Sequence, residues 1–114
     1  MRAHHLVPAE VWGIRADIAA LAVKAGWSPD IKANLIALPA DLADFNALGW
    51  QLPMHSRNHP IYNVDTLARI DVERSKFPAQ LTPEQAREIL DKVAKENLIL
   101  IKTYQYHIML KVAE

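Results

Sequence analysis

The sequence predicts an α+β fold that is mainly helical, and three observations predict it. Two stretches, Ala9 to Ala25 and Thr82 onward, repeat apolar residues at intervals of three and four, the period of a helix with one buried face. Two short apolar runs, Ala3-His4-His5-Leu6-Val7 and Asn34-Leu35-Ile36-Ala37-Leu38, are each closed by proline and have the length of a strand. The 114 residues, 51% apolar and 23% charged, match one domain with a modest core and exclude a disordered chain or a coiled coil.

The first run places His4 and His5 in an extended segment that ends at Pro8. From Ala9, the positions Val11, Trp12, Ile18, Leu21, Ala22 and Ala25 form a helical stripe, with a break expected near Gly13 and a C-terminal stop at Gly26. Ser28-Pro29-Asp30 is turn chemistry, and the second strand follows from Asn34 to Leu38. Ala40 to Met54 reads as connection, with a helical turn possible around Leu42 to Leu48 before the breakers Gly49 and Pro53.

Ile61, Val64, Leu67, Ala68 and Ile70 carry helical spacing, with charged residues from Asp65 to Lys76 suited to an exposed face. Asn58 is a good N-cap for that helix, which leaves His55 in the loop before it. Thr82-Pro83-Glu84-Gln85 combines a capping box with proline at the first helical position, and Ala86, Ile89, Leu90 and Val93 supply its buried stripe. From Leu98 to Val112 the pattern admits either a longer helix or a terminal strand.

Composition narrows the chemistry. There is no cysteine, so disulfides and thiolate metal sites are excluded and a bound metal must be held by nitrogen and oxygen. No apolar run approaches the roughly twenty residues that span a bilayer, and the N-terminus lacks the pattern of a signal peptide, so no membrane partner is expected. Thirteen basic and thirteen acidic residues cancel, so contacts to an anionic partner must be confined to one face or supplied by another molecule.

Four of the five histidines form two groups, His4 with His5 and His55 with His59, and Asn34 lies between them. Adjacent residues of a strand point to opposite sides, so His4 and His5 are expected to divide two roles, one as a ligand and one in acid–base work. On residue types alone, incidental clustering or an adventitious transition-metal site is an equal alternative. His107, standing alone, is read as a surface or core residue.

The order His4-His5, then Asn34 to Pro39, then His55-Ser56-Arg57-Asn58-His59-Pro60 with Tyr62, resembles the HNH and endonuclease VII superfamily, specifically its AHH branch, whose namesake triplet is matched by Ala3-His4-His5. The resemblance covers roughly residues 3 to 70. It implies a ββα-metal (His-Me finger) core with additional helices, within a single domain over residues 1–114 whose helical region runs from about 80 to 114. It further implies a metal-dependent endonuclease, with His4, His55 and His59 as metal ligands, His5 as the general base and Asn34 holding that base in orientation. His59 matches a phosphate contact equally well, and Arg57 between the two histidines is a candidate phosphate grip.

The implied cofactor is one divalent ion, Mg2+ or a transition ion such as Zn2+, Ni2+ or Mn2+; imidazole ligation favours the latter group. The implied substrate is nucleic acid, DNA before RNA, and the implied setting is the toxin module of a larger secreted bacterial protein, acting in the target cell's cytoplasm and neutralised by a cognate immunity protein. Oligomeric state is left open. Two rival readings are a metal-stabilised interaction module without catalysis, and a helical interaction protein with incidental histidines.

Overall fold

The computed structural model describes residues 2–38 and 60–103. Strand β1 (Arg2–His5) pairs antiparallel with β2 (Leu35–Leu38), His4 opposite Ile36 and His5 opposite Leu35. Residues 6–34 connect them through α1 (Ala9–Ile14), α2 (Ala16–Lys24) and a 3-10 turn (Lys32–Asn34), and α3 (Pro60–Arg74) and α4 (Pro83–Lys102) follow. The architecture is the mainly helical α+β fold expected, with one small sheet. No described helix is long and apolar enough to cross a membrane.

Pro8, extended at φ −77° and ψ 163°, ends the first run and starts α1, its carbonyl accepting from the amides of Val11 and Trp12. The break between α1 and α2 falls at Arg15, with φ −102° and ψ 48°, and not at Gly13. A Cβ at Gly13 would meet nothing within 4 Å, so that position does not require glycine. Arg15 instead directs its guanidinium across to α3, where Nε and Nη2 donate to both carboxylate oxygens of Asp71 at 2.9 and 2.8 Å.

Gly26 ends α2 as expected. Its φ of +89° lets the amide of Trp27 reach the carbonyl of Ala22 while its own amide donates to Val23, which together satisfy two orphan carbonyls of the last turn. The second strand begins one residue later than its sequence suggests, because Asn34 closes the 3-10 turn through its amide to the carbonyl of Ile31 at 2.9 Å.

Helix α3 forms where expected, and Ile70 and Leu67 of its expected stripe face the core, but the buried face is shifted toward Tyr62, Thr66 and Glu73. Tyr62, Thr66, Ile70 and Glu73 are buried, while Val64 and Ala68 are exposed. Hydrophobicity misleads here because the buried polar groups find partners both locally and on α4: Thr66 Oγ1 donates to the carbonyl of Tyr62 and accepts from Asn97, and Glu73 accepts from Lys76 and Lys92. Helix α4 opens with the predicted capping box, Thr82 Oγ1 accepting from the amide of Gln85 at 3.1 Å and Gln85 Oε1 from the amide of Thr82 at 3.0 Å.

Helix α4 buries Ala86, Ile89, Leu90, Val93, Ala94 and Ile101, and it continues to Lys102, so the helical alternative holds up to that residue. Packed along α2 and α3, it joins Leu6, Val7, Val11, Ile18, Ala22, Trp27, Leu38, Tyr62 and Ile70 in one core. The readings for Ala40 to Met54, for Asn58, and for the tail from 104 onward lie outside the described residues.

Candidate active site at the histidine doublet

Strand geometry divides the doublet as its alternation requires. His4 points inward, 2% exposed, with its ring edge-on to Tyr62 of α3 at a centroid distance of 5.2 Å. His5 points the other way and keeps 35% of its side chain open to solvent. Its Nε2 lies 2.8 Å from Asp30 Oδ1, and its ring lies 6.5 Å from that of Trp12, inclined at 65°.

The peptide after the doublet is the most heavily bonded stretch of backbone in this region. The carbonyl of Leu6 accepts from the Tyr62 hydroxyl at 2.5 Å and from Asn97 Nδ2 at 2.8 Å, tying β1 to α3 and α4. The carbonyl of Val7 accepts from Trp12 Nε1 at 2.7 Å, and the amide of Val7 donates to Asn34 Oδ1 at 2.8 Å. The amide of Leu6 donates to the carbonyl of Asn34 at 2.7 Å. Asn97, fully buried, also donates to Thr66 and accepts from Arg69 Nε, so the clamp extends through the interior of the helical layer.

Asn34, expected to hold the base histidine, makes its side-chain bonds to backbone. Beyond its bond with the Val7 amide, Nδ2 donates to the carbonyls of Pro29 at 2.8 Å and Val7 at 3.3 Å. It therefore ties the strand exit after His5 to the turn before Asp30. Asp30, Trp12 and Asn97 were not marked as site residues by sequence. Asp30 carried a turn signal and Trp12 a helical one, whereas Asn97 carried no signal at all, because its partner Leu6 is ninety-one residues away.

His55, Arg57, His59 and His107 lie outside the described residues. Among the described residues no group of three or more histidine, cysteine, aspartate or glutamate side chains could hold a metal ion. Of the three expected ligands the described part contributes His4, a nitrogen donor turned toward the start of α3; its donor chemistry suits a divalent transition ion. Arrangement and chemistry together provide one enclosed imidazole, one open imidazole beside a carboxylate, and a rigid backbone between them.

Comparison with known proteins gives one match. The model of AHH, a nuclease family of the HNH/ENDO VII superfamily with conserved AHH, matches residues 1–97, and this sequence contains Ala-His-His at residues 3–5 in β1. No curated protein and no solved structure matches the chain.

Proposed function

Because the chain belongs to the AHH nuclease family of the HNH/ENDO VII superfamily, we propose that it is a metal-dependent endonuclease that hydrolyses phosphodiester bonds in DNA, with His5 as its general base. Nucleases of that superfamily are generally metal-dependent. The observation that carries the reading is the division of the doublet, one ring enclosed against α3 and the other open on the opposite face. A base must reach solvent and a scissile phosphate, whereas a ligand gains from being held rigidly.

In the proposed reaction, a ring nitrogen of His5 takes a proton from water, and the resulting hydroxide oxygen bonds to phosphorus. The bond from phosphorus to the leaving sugar oxygen breaks, and that oxygen takes a proton from solvent. Neutral imidazole accepts a proton near physiological pH, which suits this task. A divalent ion held by His4, His55 and His59 would neutralise charge on the phosphate and on the leaving oxygen. For His59 the support is its place in the chain: one peptide bond joins it to Pro60, the first residue of α3, and Tyr62 of the same helix packs on His4. Arg57 is assigned a phosphate contact, which a chain without net positive charge must supply locally.

The biological setting follows as part of the same proposal. A nuclease endangers the cell that makes it, so a cognate immunity protein is the expected partner. Its place would be as a toxin module of a larger secreted bacterial protein, active in the cytoplasm of the target cell, with residues 1–114 acting as a single domain.

The test incubates the protein with supercoiled plasmid and with total RNA, in magnesium and in chelator. Plasmid cleavage that chelator stops is the expected result, cleavage of RNA alone would move the substrate class, and cleavage of neither would end the proposal. His5→Ala should lower the cleavage rate by about 10² to 10⁴ while leaving the circular dichroism spectrum unchanged. Full activity in that variant would remove His5 from the mechanism.

A further inference from the structure

We propose that Asp30 is the positioning residue for His5: its carboxylate holds the ring proton on Nε2 and thereby leaves Nδ1 as the nitrogen that takes the proton from water. The proposal rests on the nuclease reading above and specifies which atom of the imidazole works.

His5 Nε2 lies 2.8 Å from Asp30 Oδ1, within the range of a charge-assisted hydrogen bond. An ionised carboxylate has only acceptors, so a neutral imidazole facing it through Nε2 must donate there. The other ring nitrogen then carries the lone pair. Trp12, inclined at 65° to the imidazole, restricts the ring on a second side.

Position matters as much as chemistry, and both segments that carry the pair are held by one buried side chain. Asn34, 1% exposed, binds the amide of Val7 two residues beyond His5, and the carbonyl of Pro29 directly before Asp30. The turn is closed further by the amide of Ile31 on the carbonyl of Ser28 at 3.2 Å and by the amide of Asp30 on Ser28 Oγ at 3.3 Å. Asn34 thus sets the separation of His5 from Asp30 without touching either side chain. This accounts for an asparagine that governs a base it does not contact.

Exposure helps to isolate the effect. The Asp30 side chain is 80% exposed, so its pairing with His5 contributes little to folding, and a loss of rate on its removal is separable from unfolding. No atom of Asp30 is required to touch the nucleotide, so the expected loss falls on kcat.

The experiment pairs kinetics with nitrogen NMR of the His5 ring. In the wild-type protein the proton of the neutral ring should reside on Nε2. Asp30→Ala should abolish that preference, lower kcat about tenfold and leave KM unchanged within about twofold. Its melting temperature should stay within about 3 °C of wild type, and Asp30→Glu should restore most of the rate. A wild-type ring protonated on Nδ1, or an Asp30→Ala variant that turns over at the wild-type rate, would overturn the proposal while the nuclease assignment stood. A wild-type protein inactive on both plasmid and RNA would overturn that assignment, and the role of Asp30 with it.

Discussion

Asn34 concentrates more structural consequence than any other single side chain near the doublet. Its oxygen accepts from one backbone amide and its nitrogen donates to two carbonyls, all within the enclosed region between β1 and the Ser28 to Ile31 turn. Asn34→Ala would leave a buried amide and a carbonyl without partners, and the summed desolvation cost should lower stability by about 2 to 4 kcal/mol, measured as a shift of the urea midpoint. A variant as stable as wild type would show that water replaces the amide at no cost. The resemblance to the AHH branch singled out this residue. Its partners were not legible, since Val7 lies twenty-seven residues away and a hydrogen bond over that distance leaves no periodic trace.

Among the elements, α4 was the most legible, because its signals are local. A threonine cap, a proline in the first turn and a glutamine three residues on all act within one turn of chain, and the structure forms each contact. Thr82→Ala should cost about 1 kcal/mol in chemical denaturation; no measurable change would mean that the helix start is held by packing alone. Helix α3 shows the opposite case. Its interior face includes Thr66 and Glu73, so apolar periodicity pointed to Val64 and Ala68, which face solvent. These polar residues are interior because local partners, Tyr62 and Lys76, are joined by partners that α4 brings, Asn97 and Lys92.

Among the described residues, Arg15–Asp71 and Lys92–Glu73 join the helices and give stability a pH dependence. Arg15 holds the Asp71 carboxyl below its ordinary range, chiefly by hydrogen bonding, and the same bonds raise the Arg15 guanidinium. Glu73, almost fully buried, is pushed below its ordinary value of 4.5 by hydrogen bonds first from Lys76 and then from Lys92. A carboxylate whose pKa is lower folded than unfolded contributes stability that is fully present above the unfolded value and is lost as pH falls through the folded one. The unfolding free energy should therefore fall as pH is lowered below 4.5, and Glu73→Gln should reduce the slope of that acid limb. An unchanged slope in the variant would show that Glu73 is not among the groups that drive it.

The order of local elements, the ends marked by Gly26 and by the Thr82 capping box, and the opposite orientations of His4 and His5 are determined by the sequence itself, because caps, prolines, glycine and strand alternation act between near neighbours. Which helix face is buried, which carboxylate meets His5 and what Asn34 holds were decided only by tertiary structure. The pairs His5–Asp30 and Asn34–Val7 join residues 25 and 27 positions apart, and such pairs are selected by packing and by the need to satisfy buried polar groups, for which the linear chain carries no period.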